Sequence, residues 1–516
     1  MNLSHCLELN ALTRGTHPGL FFREQPMSYA AMDDLASQVA AALERAGIRR
    51  GDRVALYLPN CPEFICCFYG ILKLGAVVVP MNILFRALEI EHLLKHSEAR
   101  ILIADIRQRD EIAVCLPSVA MLETVLLLSP MSKVPTARAD DRFEDFWQRL
   151  EGTPSRFPGK DMTPDESAAI LYTSGTTGNP KGAMLTHYNF FLNAECYKAA
   201  WKLDAGTFAG TASPLSHLLS LMGGMIVMIQ AGGSLYLLEK FDPEETARTI
   251  RKFKINYFMG VPTIYYMLNA LPVRPEFDMS SLRVCKTAGA IMAPEIRGEF
   301  ERRTGALLVQ LYGLTETSPG VTMDVVGDER RLDSVGKALP HIDVRIVDDN
   351  DTPLPVGQHG EICCRGHCVM KGYFRDPAAT ERAMRDRWFH TGDIGMIDDH
   401  GFMYIFDRKK DLIICGGYNI YPLEVENLLY EHPAVLEAAV VGVADPRLGE
   451  VPVAYVALKR DSRTTVKELM DSVNTRIASY KRIRALDIVP ALPKGPTGKI
   501  LRRALRAPAN AAQAQT

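Results

Sequence analysis

The 516-residue sequence has no run of about 18 uninterrupted apolar residues, so no membrane-spanning helix is expected. The best candidate, LLSLMGGMIVMIQAGG from Leu218, is short and glycine-broken, and reads as a buried helix. The stretch MNLSHCLELNALTRG has no basic segment followed by an apolar one, so no secretion signal is expected. Strong charge of either sign is missing: 59 Lys+Arg against 61 Asp+Glu leave a net charge of -2. That balance argues against a nucleic-acid binder working through bulk charge. A paired-cysteine framework is missing too. The 11 cysteines are an odd count, and the neighbours Cys66–Cys67 and Cys363–Cys364 lie inside apolar runs. They read as buried, reduced thiols of a cytoplasmic protein. Cys363, Cys364 and Cys368 come closest to a metal pattern. Neighbouring side chains on a strand point to opposite faces, so these three are not expected to converge.

What the chain does contain is alternation. RVALYL at Arg53, VVVPMN at Val77 and RILIAD at Arg100 read as strands. Between them, CPEFICCFYGILKLGA from Cys61 reads as a helix apolar on most sides. ALEIEHLLKHSE from Ala87 reads as an amphipathic helix with Leu88, Ile90, Leu93 and Leu94 near one face. This order argues for parallel sheets covered by helices. A second set follows Phe190, with GSLYLL at Gly233, the helix PEETARTIRKF at Pro243 and INYFMGVP at Ile255. From Ser334 to Phe406 short strands alternate with Gly, Pro and Asp turns, as in a small antiparallel unit. Beyond it, PLEVENLLYEHP, VLEAAVVGVAD, VPVAYVALK and TVKELMDSVNTRIASY read as helix, strand, strand and helix. The expected fold is α/β: a large N-terminal domain of parallel α/β sheets plus a small β unit, hinged to a small α+β C-terminal domain. The boundaries are 1–407 (β unit about 330–407), hinge 408–411, C-terminal domain 412–506, and a tail 507–516 expected to be disordered.

The stretch AAILYTSGTTGNPKGAMLTH crowds Thr173, Ser174, Gly175, Thr176, Thr177, Gly178 and Lys181 onto one loop. An apolar strand leads in, and GAMLTHYNFFLNAECY after it suits a helix. Glycines let backbone N–H groups turn inward, hydroxyls add donors, and a lysine adds charge, which together suit a polyphosphate. The spacing is not that of a Walker A loop. A flexible Ser/Thr linker is the alternative, although linkers rarely fix a lysine beyond a proline between two apolar segments. Further on, QLYGLTETSPG offers Glu316 as a hard oxygen ligand suited to Mg²⁺. WFHTGDIG sets Asp393 in a Thr-Gly-Asp turn where a carboxylate can take both hydroxyls of a ribose. LPKGPTGKILRRALR ends the pattern with Lys499.

These stretches, in this order, resemble the adenylate-forming superfamily: acyl- and aryl-CoA ligases, peptide-synthetase adenylation domains and beetle luciferases. The likeness runs from SYAAMDDLASQVA at Ser28 to GKILRRALR. It implies that a carboxylate attacks the α-phosphate of ATP, pyrophosphate leaves, and a thiol then displaces AMP from the acyl-adenylate. By resemblance, Thr173 to Gly178 and Lys181 hold the β- and γ-phosphates. Gly289 and Ala290 form the adenine segment and Tyr312 stacks on adenine. Thr315 contacts phosphate, Glu316 holds Mg²⁺, Asp393 takes the ribose with help from Arg408, and Lys499 bridges carboxylate and α-phosphate. Lys410 matches the hinge. Gly416 and Gly417 match the channel for the pantetheine arm of CoA. Two departures stand out: Thr-Ala-Gly-Ala replaces a pair of adjacent glycines in the adenine segment, and Leu311 precedes Tyr312 where a small residue is common.

ASPLSHLLSLMGGMIVM from Ala212 matches the segment lining the acid pocket, with His217 gating the carboxylate. Leu218 and Leu219 stand where peptide synthetases usually place an aspartate, and an amino-acid ammonium would be buried there without a partner. An apolar acyl group is therefore expected, with a medium- or long-chain fatty acid favoured over aryl, cinnamate-like or alicyclic acids. No carrier domain follows the C-terminal motif, and Lys481, Arg482 and Arg484 suit CoA phosphates. Both features favour a CoA ligase over a stand-alone enzyme loading a carrier protein. A luciferase-type oxygenase and a non-catalytic nucleotide module are the remaining alternatives; none of Glu316, Asp393 and Lys499 is lost, which speaks against the second. Expected partners are a small carboxylic acid, ATP and CoA, with no nucleic acid. Loose contact with a membrane surface stays open.

Overall fold

The computed structural model describes residues 1–129, 142–173, 180–409, 411–460, 462–495, 500–502 and 504–506. Ser174, Gly175, Thr176, Thr177, Gly178, Lys410, Lys499 and the tail 507–516 lie outside the described residues.

Two large sheets build the first four hundred residues. One runs, edge to edge, through Lys337–Ala338, Thr322–Met323, Leu307–Tyr312, Val284–Thr287, Tyr257–Gly260, Phe208–Thr211, Ser234–Leu237, Pro18–Phe22 and Gln25–Ser28. Its middle strands pair in parallel. The other runs through Gly372–Tyr373, Lys181–Thr186, Ser167–Thr173, Val77–Pro80, Arg53–Tyr57, Ile101–Asp105, Thr124–Leu128 and Phe143–Asp145, again parallel in its middle. Helices Tyr29–Arg45, Pro62–Leu74 and His187–Trp201 and the helical segment from Leu218 share one apolar core with strands of both sheets. Helix Pro62–Leu74 is apolar all round because it is enclosed: Phe64, Ile65, Phe68, Ile71 and Leu72 are fully buried. Each such side chain contributes roughly 1.5–3 kcal/mol. Helix Pro243–Phe253 coincides with its sequence signal. The Asp242 carboxylate accepts from the Glu245 N–H at 2.8 Å, and Pro243 takes the first turn where no N–H is needed.

Three local readings are corrected. Lys181–Thr186 is a strand antiparallel to Ser167–Thr173, and the helix starts only at His187. Ala183 and Leu185 are buried in alternation, so period two wins over the helical pattern until Thr186 caps the helix. The glycine-rich loop therefore joins two hairpin strands and does not open a helix. Leu88 is 83% exposed, because it lies almost opposite the buried Ile90, Leu93 and Leu94 on helix Ala87–Ser97. The last long helix stops at Asn474, whose side chain makes two hydrogen bonds to the backbone of Ile483 and turns the chain back.

Trp388–Ile397 and Met403–Arg408 join Ile342–Val347 and Gly360–Gly366 in the expected antiparallel unit. The C-terminal unit starts at strand Ile413–Cys415. Its sheet is built mainly by Val435–Asp445 and Gly449–Leu458, with helices Pro422–Tyr430 and Val466–Asn474 packed on it. The α/β architecture with a large and a small part is thus as expected. No helix among the described residues is long and apolar enough to cross a membrane. All 11 cysteines are free. Cys363 faces His390, 3.2 Å away, whereas Cys364 and Cys368 pack in the main core.

His187, at the start of its helix, is fully buried and its Nδ1 accepts from the Leu3 N–H at 3.2 Å. Burial pushes its pKa down from 6.5 to about 4. The unfolded chain therefore binds the proton first, and stability is lost as pH falls from 6.5 towards 4. This residue alone should cost roughly 3 kcal/mol over that range. In His187→Gln the slope of unfolding free energy against pH should flatten there, as read by urea melts at several pH values.

Candidate active site

The C-terminal edges of the first sheet, the end of strand Ser167–Thr173 and the β unit face one another across a cleft of about 950 Å³. Thr173 ends its strand directly opposite Lys181, so the hairpin register brings the two together. The Lys181 ammonium lies 5.1 Å from the centre of the Tyr373 ring. The Tyr373 hydroxyl donates to Glu316 Oε1 at 2.9 Å, and Thr173 Oγ1 donates to the same oxygen at 3.4 Å. Glu316 sits in the short turn Thr315–Thr317 after strand Leu307–Tyr312. It is only 8% exposed, so it is no ordinary loop glutamate. The turn is shaped by Gly313, where an added Cβ would fall 1.4 Å from the Pro319 carbonyl oxygen.

A second group forms deeper in the β unit. Asp393 and Arg408 are opposite each other in register, and Arg408 Nε donates to Asp393 Oδ1 at 2.9 Å. The Tyr312 hydroxyl donates to Asp393 Oδ2 at 2.8 Å. Asp393 is therefore part of strand Trp388–Ile397 and not of a free turn, a correction forced by its pairing with Met403–Arg408. The Asp393 charge raises the Arg408 pKa, and burial takes the Tyr312 hydroxyl well above its ordinary range. These hydrogen bonds hold the Tyr312 ring at the cleft wall beside the carboxylate.

His217, Gly289, Ala290 and Thr315 also line the cleft, as does Leu311. The His217 Nδ1 accepts from the Leu219 N–H at 3.5 Å and so caps the helix that follows. Ile500, next in sequence to Lys499, lines the cleft too, and pairs with Lys494 across an antiparallel bridge. Gly416 and Gly417 form the exposed turn between strands Ile413–Cys415 and Tyr418–Ile420 and are not among the lining residues. Lys481 is engaged by Glu424 at 2.7 Å.

Four residues were invisible to sequence reading. Tyr373 reaches Glu316 only because Gly372–Tyr373 pairs with Ala183 and Met184, a tertiary event. Buried Glu426 and partly exposed Arg502 pair at 2.7 Å, and Glu426 also accepts from the Val440 N–H. Asp407 lies close by, and burial pushes its carboxyl up to about 6. No local signal marks any of these four.

The described residues offer one buried carboxylate beside Thr173 and Thr315, and no group of three His, Cys, Asp or Glu residues that could close around a metal by itself. That donor set fits Mg²⁺ carried largely by substrate oxygens, which keeps few protein ligands.

A cleft with a threonine–lysine hairpin, a buried glutamate and a Tyr–Asp–Arg group, between an α/β body and a small α+β unit, defines a nucleotide-using enzyme of two parts. The chain belongs to the AMP-binding enzyme family, which matches residues 7–374, with the AMP-binding enzyme C-terminal domain matching 424–499. It is similar to a long-chain-fatty-acid–CoA ligase of Bacillus subtilis (strain 168), at 37% identity over 494 residues, 91% of this chain and 88% of the relative. A feruloyl-CoA synthase of Amycolatopsis sp is 36% identical over 483 residues, 93% of each chain. The solved anthranilate CoA ligase AuaEII in complex with anthranoyl-AMP has a TM-score of 0.93 at 28% identity, over 100% of this chain and 98% of that one.

Proposed function

We propose that this protein is an AMP-forming acid–CoA ligase. A carboxylate oxygen bonds to the α-phosphorus of ATP as the bond to the β-phosphate oxygen breaks, and pyrophosphate leaves. The thiol of CoA then loses its proton and bonds to the acyl carbon, and AMP departs. The observation that carries the reading is the convergence of Thr173, Lys181, Tyr373 and Glu316 in one cleft with the Tyr312–Asp393–Arg408 group.

Roles follow from the charges. Lys181, Thr173 and the glycine-rich loop face the β- and γ-phosphates. Glu316, held by Tyr373, keeps a fixed negative charge for Mg²⁺. Mg²⁺ held by Glu316 would supply positive charge that offsets repulsion between the two anionic reactants. Asp393 takes the ribose hydroxyls, with Arg408 fixing its orientation, and Tyr312 offers its ring to adenine. Lys499 meets the α-phosphate and the attacking carboxylate. Lys410 is the pivot, and Gly416 and Gly417 enter the CoA path after the C-terminal part turns, a two-state use of one cleft.

The finer substrate is a medium- or long-chain fatty acid, supported by the apolar wall of Leu218, Leu219, Val261 and Leu311 and by the B. subtilis relative. An aryl or cinnamate-type acid is the second reading, supported by the feruloyl-CoA synthase and anthranilate ligase likenesses. A cytoplasmic setting is supported by the free cysteines. Pyrophosphate release across fatty, aromatic and dicarboxylic acids, with AMP and acyl-CoA followed on adding CoA, tests the whole reading. Failure of every acid to yield AMP overturns it.

Arg502 is a positioning residue in this scheme. It ties the segment bearing Lys499 to buried Glu426, beside Asp407. Arg502→Met should slow pyrophosphate release by roughly tenfold or more, because misplacement of a charge is costly in an oriented step. Conversion of supplied acyl-adenylate to acyl-CoA should change far less. A split of this kind separates positioning from general destabilisation, which lowers both.

A further inference from the structure

Behind the apolar wall of the cleft lies a lysine the scheme above does not use. Lys286 stands on strand Val284–Thr287, two residues before Ala288, so both side chains leave the same face of the chain. Ala288, Leu219 and Leu311 line the cleft. Lys286 is fully buried, and among the described residues its ammonium has no hydrogen-bond partner. It faces the rings of Tyr197 at 4.9 Å and Trp201 at 5.6 Å. The Tyr197 hydroxyl, also buried, has no partner either. Gly223, about one helical turn beyond Leu219, leaves the lysine its space: an added Cβ would stand 2.5 Å from the ammonium nitrogen.

A buried ammonium without an acceptor is costly, and aromatic faces recover only part of the loss. Desolvation alone pushes this amine down to about 7. A core position needs no such group: a methionine would fill the space between the strand and Gly223 without that cost. The cost is offset when an acceptor arrives with a ligand, and Leu219, Ala288 and Leu311, which line the cleft, belong to the same buried core as Tyr197 and Trp201.

We propose that Lys286 and the Tyr197 hydroxyl form a subsite for an oxygen acceptor at the far end of the acid, so that preferred substrates carry a hydroxyl, phenol or second carboxylate there. The inference rests on the acid–CoA ligase reading and narrows its substrate class. It is compatible with a terminally oxidised aliphatic acid and with a hydroxylated aryl acid, which share this chemistry. The carboxylate being activated sits at the phosphate end, near His217 and Thr315. The distal oxygen passes Leu219, Ala288 and Leu311 and ends at the Lys286 ammonium beside Gly223.

Matched acids test it. Pyrophosphate release is measured for decanoate, its terminally hydroxylated form and its dicarboxylate, and for cinnamate with and without a para-hydroxyl. The wild-type kcat/KM should favour the oxygen-bearing acid over its plain counterpart by about tenfold or more in one series, since a site with a buried donor rejects the analogue lacking the acceptor. The series that shows the preference identifies the aliphatic or aromatic source. Lys286→Met should erase the preference and use the plain acid as well or better. Gly223→Ala, whose Cβ crowds the ammonium without removing the charge, should also erase it, and serves if the lysine variant does not fold. The inference is overturned if the wild type favours the plain acid in both series, or if Lys286→Met lowers every acid in the same proportion. Release with plain acids alone sinks this inference and leaves the ligase reading standing. No release with any acid sinks both.

Discussion

Glu316→Gln lowers the rate of pyrophosphate release by roughly 100-fold or more while the fold persists. The substitution keeps shape and keeps a side-chain oxygen able to accept from the Tyr373 hydroxyl and Thr173 Oγ1, which now meet Oε1 at 2.9 and 3.4 Å. What it removes is one negative charge held at 8% exposure. Among the described residues no group of three metal-competent side chains forms a second site. Affinity for the MgATP complex should therefore fall, and raising the Mg²⁺ concentration should restore part of the rate. That recovery is the informative readout, since a purely structural loss would not respond to the ion. Unfolding midpoints measured alongside should move little. A variant as fast as wild type at ordinary Mg²⁺ would remove Glu316 from the reaction.

The contrast between Glu316 and its neighbours explains what the sequence could and could not tell. QLYGLTETSPG advertises a carboxylate among hydroxyls and glycine, because short motifs store local chemistry. The strand–helix alternation is equally local: Asp242 and Pro243 announce a helix start, and the apolar run from Pro62 announces an enclosed helix. The strand that follows the glycine-rich stretch was misread in its frame. Lys181 to Thr186 carries both a helical and an alternating pattern, and only the partner strand at Ser167–Thr173 decides between them. Tyr373, Arg502 and Lys286 were not legible at all. Tyr373 meets a residue 57 positions away, and Arg502 one 76 positions away. Lys286 carries no local mark, and the fold encloses its ammonium without a hydrogen-bond partner among the described residues. Pairings of this kind depend on sheet order, which one chain's pattern does not encode position by position.

Lys499→Ala should cripple one half-reaction and spare the other. The joining of a carboxylate to a triphosphate sets two anions against each other, so a cation is needed at the contact point only while that bond forms. Lys181 is fixed in the hairpin register opposite Thr173, and the proposed scheme assigns it to the departing phosphates. Arg408 is committed to Asp393 at 2.9 Å, and Arg502 to Glu426 at 2.7 Å. In the proposed scheme none of the three serves the attacking oxygen, and Lys499 directly precedes Ile500, which lines the cleft. Loss of such a charge typically costs 100- to 1000-fold, and roughly that drop is expected in pyrophosphate release. Acyl-adenylate supplied ready-made already contains the new bond. Its attack by the CoA thiol develops charge at the acyl carbonyl, and the arm carrying Lys499 is no longer needed there. Single-turnover conversion of that intermediate should therefore stay within a few-fold of wild type. Equal losses in both halves would mean that the lysine holds the adenosine nucleotide throughout, and the division of labour between a fixed body and a turning arm would have to be redrawn.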